Sequence, residues 1–438
     1  MKKLILIYII IPNFLFGQDT LTLFDAINIG LQENFSVQIS KKNKKISEIN
    51  NNWANAGALP KIDISTRIEE ALSDQSNNPA SFIQEKLKSS SISGSTNLNW
   101  TLFNGFAIRA NKERLNNLEK ISNNSASLTI ENTIQAIILQ YYNCILQKQK
   151  LNLLQEVVYL AKNRLQYQSK RYELGLITKI DLLQIENSLL SDSSNILLQE
   201  QNYINSVKNL NLLLGYETEK KWYIDKEINT HLQIYNYDDL KESTLNNNSN
   251  ILNQYYNIQL SKQNMKLEMS AFYPIISINS GAAYNESTYD IGDLSNTMNN
   301  TGESINYFAN LVINFRIFDG GKLYQNLKAL RIKKEIDQLK FEQKKQEVLH
   351  QLSITNDRYN TSITALKLSE KAYEIAQTNY NLAIKKHEQG LINSFMLRDV
   401  EIAYINSGIN AKQAIYNLME SKISLLKITG NIIQDFSN

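Results

Sequence analysis

The sequence predicts a mainly α-helical chain with four membrane-type β-strands, its architecture written twice. Three observations predict it. Landmarks recur at an offset near 215 residues, two stretches of almost seventy residues contain neither glycine nor proline, and four short segments alternate apolar with polar residues.

The duplication comes first, because a missed repeat miscalls the whole fold. Leu102-Phe103-Asn104-Gly105 returns as Ile317-Phe318-Asp319-Gly320, and Leu174-Gly175-Leu176 returns as Gln389-Gly390-Leu391, both 215 residues later. Leu214-Gly215 returns as Thr429-Gly430 at the same offset, and Pro60 pairs with Pro274 at 214. The boundaries expected from this register are a first repeat over 18–235 and a second over 236–438.

Residues 1–17 read as a secretory signal. Lys2 and Lys3 precede an apolar run that is too short to span a bilayer. Cleavage between Gly17 and Gln18 would lower the net charge from +3 to +1. The mature chain is then exported and nearly neutral.

Each repeat opens with a helix, expected from about Leu23 to Ala58 and from about Tyr237 to Phe272. Pro60 and Pro274 follow as helix-to-strand junctions, since the residue before proline avoids the helical region. From Phe106 to Leu174 and from Lys322 to Gln389 no residue breaks a helix. At 1.5 Å per residue each stretch forms a helix of roughly 100 Å, a length typical of coiled coils. A final helix follows each tip turn, Ile180 to Leu214 and Phe395 to Thr429. These carry sevenfold apolar stripes: Leu182, Leu189, Ile196, Tyr203 and Leu210 in the first, and Leu397, Tyr404, Ala411, Leu418 and Leu425 in the second. Such spacing keeps a seam against a neighbouring helix.

Between the helices, Ile62, Ile64 and Ile68 alternate with Asp63, Ser65, Arg67 and Glu69; Leu98 and Trp100 alternate with Asn97 and Asn99. Ile276 and Ile278, then Ile305 to Ile317, repeat the pattern in the second half. Strands of about ten residues are expected, joined by long loops over 73–92 and 285–304. The alternation fits either a half-buried soluble sheet or an outer-membrane barrel wall. Asn- and Ser-rich loops at one end and aromatics at the other (Trp100, Phe103, Phe106, Tyr273, Phe315) favour the membrane. Four strands cannot close a barrel, and an open edge is not tolerated in hydrocarbon. Three chains would supply twelve strands around a polar lumen, and two chains eight around a filled interior.

Other classes find little support. Three His and one Cys are scattered, so no metal cluster and no internal disulfide are expected. Phosphate-loop, zinc-hydrolase and nucleophile-elbow motifs are missing, and a charge of +3 argues against nucleic acid. No catalytic, cofactor-binding or metal-ligating residue is expected. The rival reading is a non-conducting periplasmic coiled-coil adaptor, but the chain has two helical hairpins and only four strands.

Taken in order and twice over, these patterns resemble the TolC-like outer membrane efflux protein family. The resemblance covers nearly the whole mature chain. It rests on Leu21-Thr22-Leu23-Phe24-Asp25-Ala26-Ile27 with Asn34, on the junctions at Pro60 and Pro274, on the strand-to-helix turns Asn104-Gly105 and Asp319-Gly320, and on the turns at Gly175 and Gly390. It implies a homotrimeric channel-tunnel: a 12-stranded barrel in the outer membrane of a Gram-negative bacterium, continued by a helical barrel into the periplasm. Such a duct serves tripartite efflux or type I secretion. It docks on a periplasmic adaptor (membrane fusion protein) joined to an inner-membrane transporter of the RND or ABC type.

The resemblance also assigns residues. Leu174, Gly175, Leu176 and Thr178, with Gln389, Gly390, Leu391 and Asn393, form the adaptor-docking tip; Leu174 and Gln389 replace the valine usual before each glycine. Asp181 and Asp399, six and nine residues past those glycines, mark a periplasmic constriction. The second ring position is uncharged here, being Met396. Thr178 and Asp181 also have the spacing of a helix-capping pair, and Asn104 and Asp319 read as N-caps of the long helices.

Overall fold

The computed structural model describes residues 20–224, 228, 232–291 and 298–436. The expected signal peptide over 1–17 lies outside the described residues. Eight principal helices are α1 (Leu23–Glu33), α2 (Phe35–Asn50), α3 (Ala107–Glu173), α4 (Lys179–Leu214), α5 (Tyr237–Asn247), α6 (Ser249–Met269), α7 (Lys322–Glu388) and α8 (Ser394–Ile428). Four long strands are β1 (Lys61–Asp74), β2 (Lys86–Asn104), β3 (Ile275–Ile291) and β4 (Met298–Asn314). The order helix, two strands, 67-residue helix, turn and helix occurs twice. No helix among the described residues is long and apolar enough to cross a membrane.

The opening helix of each repeat differs from the expected single rod. It breaks at Asn34 and again at Asn248. At each break the asparagine side chain accepts bonds from the next helix's first free amides, Ser36 and Val37 in one repeat and Asn250 and Ile251 in the other. Its Nδ2 donates 2.9 Å to the last turn of the repeat's closing helix, at the carbonyl of Leu213 or of Ile428. A helix that restarts needs partners for its first amides, and asparagine supplies them.

Two compact units divide the chain, each drawing on both repeats. One comprises Asn43–Asn124 and Leu252–Lys344 and contains the strands; the other comprises Met1–Lys42, Ser125–Ile251 and Lys345–Asn438. The strand unit holds one antiparallel sheet in the order β1-β2-β3-β4. The register puts Ile62, Leu98, Ser280 and Ala309 in one row and Ile64, Thr96, Ala282 and Tyr307 in the next. The opposite face carries Asp63, Asn97 and Gly281, then Ser65, Ser95 and Ala283. One face is therefore rich in Ile, Leu and Tyr, and the other in Asn and Ser.

The strands are 14 to 19 residues long, not about ten. Much of 73–92 and 285–304, read as loop from its polarity, is strand. Ladder bonds hold that backbone whatever its side chains, so polarity alone misplaced the ends. Among the described side chains of these four strands none is buried, and Ile64, Leu72 and Tyr307 are at least 75% exposed. Both outer edges, β1 and β4, lack a partner strand among the described residues.

The helical unit holds the core. One cluster gathers Ala26, Ile27, Ile137, Ile138, Tyr141, Leu210, Leu214 and Ile423. Others join α3, α7 and α8 through Leu154, Val157, Tyr380, Leu397 and Tyr404, and join α5, α7 and α8 through Leu240, Tyr359 and Leu418. All five predicted stripe residues of α8 are buried, whereas in α4 only Leu210 is. The repeats thus share a pattern but differ in what covers it. Leu183, Leu190, Leu197 and Ile204 form a further sevenfold stripe on α4, and all four are exposed.

Candidate functional site

Two similar turns join the long helices α3 and α7 to the closing helices α4 and α8. Gly175 (φ +72°) and Gly390 (φ +76°) take the left-handed conformation that ends α3 and α7. Gly175 N–H donates to the Tyr172 carbonyl, and Leu176 N–H reaches back to Arg171; Gly390 and Leu391 repeat this onto His387 and Lys386. That is the Schellman arrangement, which satisfies the last carbonyls of a helix. Leu174, Leu176 and Leu391 are exposed apolar side chains, and Gln389 is exposed too.

The two carboxylates singled out by sequence have different local surroundings. Asp181 belongs to a capping box: Thr178 Oγ1 accepts from Asp181 N–H and donates 2.7 Å to Asp181 Oδ2. In the second repeat Asn393 accepts from Met396 N–H at 2.9 Å. Asp399 lies exposed on α8 and forms no ion pair among the described residues.

The strand-to-helix turns each use two successive left-handed residues, Gly105 with Phe106 (φ +69°) and Gly320 with Gly321. Left-handed geometry is costly for an aromatic residue. The Phe106 ring meets Phe103 and Tyr273 edge-on, with centroids 5.3 and 5.7 Å away. Asn104 accepts from Ile108 N–H, and Asp319 from Gly321 and Leu323. Pro60 and Pro274 directly precede β1 and β3.

Sequence reasoning missed the most developed polar constellation. Arg398 of α8 grips Asp192 of α4 through two parallel bonds of 2.6 and 2.8 Å. Its Nη1 also donates 3.0 Å to Glu401 Oε2, while Arg164 of α3 reaches Glu401 Oε1 at 2.5 Å and the Tyr380 hydroxyl of α7 donates to the same oxygen at 3.0 Å. Asp192 and Glu401 are only 2% and 1% exposed, so their charges need internal compensation. Two guanidinium groups balance two carboxylates, and all four carboxylate oxygens have a partner. The bond to Asp192 raises the Arg398 pKa, and burial then Glu401 raise that of Tyr380. Tyr404 stacks on Tyr380 at 4.9 Å.

Four helices are tied at one point by this network, which offers no free acid, base or nucleophile for chemistry. A signal for it existed. Glu401 lies between Leu397 and Tyr404 on the apolar side of α8, where a carboxylate must be paired. Nearby, His387 is buried, its Nε2 3.3 Å from Ser394 Oγ. Burial lowers its pKa, as do Arg164 and Arg171, against the opposing pull of Asp181 and Glu388. No group of three or more metal-ligating side chains is assembled among the described residues.

Comparison with known proteins agrees with this architecture. The fold resembles the CmeC outer membrane channel of Campylobacter jejuni (15% identity, TM-score 0.74, covering 94% of this chain and 86% of that one). It resembles the outer membrane protein VceC of Vibrio cholerae (14%, 0.70, 93% and 96%) and the MtrE outer membrane channel of Neisseria gonorrhoeae in its open state (15%, 0.71, 94% and 89%). No curated protein matches the chain by sequence. The family model described as outer membrane efflux protein matches twice, over residues 26–216 and again over 240–431, once for each repeat. On that double match, spanning most of its length, the chain belongs to the outer membrane efflux protein family.

Proposed function

We propose that the chain is the outer-membrane exit duct of a tripartite efflux pump or a type I secretion system, conducting passively as a homotrimer. The observation that carries this reading is the four-stranded sheet. Among the described residues it has no buried side chain, one apolar face, one Asn/Ser face and two unpaired edges. Lipid against the apolar face and like strands on both edges would satisfy all of these at once. Three copies supply twelve strands, enough for a wet lumen.

A second apolar surface supports association through the helices. The exposed stripe of Leu183, Leu190, Leu197 and Ile204 on α4 has the spacing of a coiled-coil seam, and α7 exposes Leu368, Ile375 and Leu382 at the same interval. Seams on two different helices suit a head-to-tail ring.

Within this reading the exposed leucines beside Gly175 and Gly390 receive a periplasmic adaptor, itself joined to an inner-membrane transporter. Three Asp399 carboxylates would ring the axis and favour cations. Asp181 serves as a helix cap. Membrane fractionation tests the proposal. An oligomer that resists heat and leaves the outer membrane only with detergent supports it, together with ion conductance in planar bilayers. A monomer in the periplasmic extract overturns it.

A further inference from the structure

Below the sheet, the strand unit contains a cleft of about 790 Å³ lined by Trp53, Trp100, Phe103, Arg109, Lys112 and Glu113, among others. Trp100 shares the apolar face of the sheet, since it pairs with Ile278, which pairs with Leu311. Its indole N–H already donates 3.0 Å to the Ala58 carbonyl, leaving the ring as an anchored apolar wall. Trp53 is 52% exposed, and Lys112 Nζ lies 6.0 Å from its ring centroid.

The charges in the cleft are of both signs and are not spent on each other. Arg109, Lys112 and Glu113 lie within one helical turn and a little more, yet none of the three forms an ion pair among the described residues. Lys112 bonds the Asn51 carbonyl at 3.1 Å and the Asn51 side chain, which leaves one ammonium proton free. Two cations and one carboxylate beside two indoles complement a group with a phosphate and a primary ammonium.

The height is appropriate. Arg109 and Lys112 follow Gly105 by four and seven residues, about 6 and 10 Å along α3. A head-group zone extends roughly 5–8 Å beyond the hydrocarbon, within reach of such long side chains.

We propose that this cleft binds the head group of a glycerophospholipid carrying a phosphate and a primary ammonium. Arg109 and Lys112 take the phosphate, while Glu113 and the face of Trp53 take the ammonium. The inference rests on the membrane reading above and adds a specific ligand to it.

Native mass spectrometry of the detergent-purified oligomer, titrated with matched ethanolamine, choline and glycerol phospholipids, tests it. The native protein should retain the ethanolamine lipid about tenfold better than the choline lipid, the effect of one charge-assisted bond. The double variant Arg109→Gln/Lys112→Gln should lose retention of all three. Glu113→Gln should keep phosphate binding but lose the preference for ethanolamine, and it decides the matter if the double variant does not assemble. Equal retention of the three lipids by the native oligomer, or an undiminished preference in Glu113→Gln, overturns the site alone. A native chain that stays in solution without detergent overturns the membrane reading, and the lipid site with it.

Discussion

Gly105 lies so close to Ser270 that a Cβ added there would stand 2.1 Å from the Ser270 carbonyl oxygen, and 2.8 Å from the Cβ of Tyr273. Gly175 has a similar positive φ, but its missing Cβ would meet nothing within 4 Å. The two glycines are thus required for different reasons, backbone contact in one case and conformation in the other. Gly175→Ala should cost about 1–2 kcal/mol, the penalty of a left-handed L-residue. Gly105→Ala should cost more, since backbone must move. Thermal unfolding and the yield of folded protein from the two variants check the order.

The Arg398 clamp should resist truncation poorly. Arg398→Met leaves Asp192 buried without a counter-charge, a loss of about 3–5 kcal/mol. Amide exchange around Tyr380–Glu401 should accelerate strongly. Adding Asp192→Asn to the same variant should recover part of the protection. Unchanged exchange in Arg398→Met would mean that the network does not hold these helices.

Asn34 and Asn248 should behave alike. Replacing either with Ala removes a cap worth about 1 kcal/mol and strands the carbonyl of Leu213 or Ile428. Asp keeps the acceptor but puts an oxygen where Nδ2 faced the Leu213 or Ile428 carbonyl, so it should not recover the stability that Ala loses. Chemical denaturation of the four variants measures both effects.

Asp399→Ala should weaken block by multivalent cations, because a ring of carboxylates concentrates cations at a constriction, and should raise single-channel conductance, because the shorter side chains widen it. Planar-bilayer recordings with unchanged conductance and block would remove Asp399 from the lumen.

His387 should make the tip acid-sensitive. Its pKa is depressed in the folded chain below the ordinary 6.5. The folded state therefore binds its proton less readily than the unfolded state does. The His387 contribution to stability is intact above pH 6.5 and is lost as pH falls below that value. Amide protection near Ser394, taken relative to the intrinsic exchange rate at each pH, should fall between pH 7 and pH 5.5 in the native chain, and His387→Gln should flatten that dependence.

Much of the fold was legible in the chain because it is written in local physics. The 67-residue helices α3 and α7 follow from long stretches without glycine or proline, and their ends follow from Gly175 and Gly390. Strand ends were less legible. Ser89, Ser91 and Asn285 read as loop, yet ladder bonds to partners far along the chain hold them. The helix breaks at Asn34 and Asn248 were hidden for the same reason, since each asparagine bonds a carbonyl about 180 residues away.

By itself the sequence determined the duplication, the lengths of the long and closing helices, the turn positions and the alternation that gives each strand one apolar side, because all of these depend on neighbours a few residues apart. Only the tertiary structure decided that the α8 stripe is buried while the equivalent α4 stripe is largely not. It alone joined Asp192, Arg398, Glu401 and Arg164, which lie on three helices. Burial and charge pairing are set by what packs across from a residue, and periodicity shows only that something must.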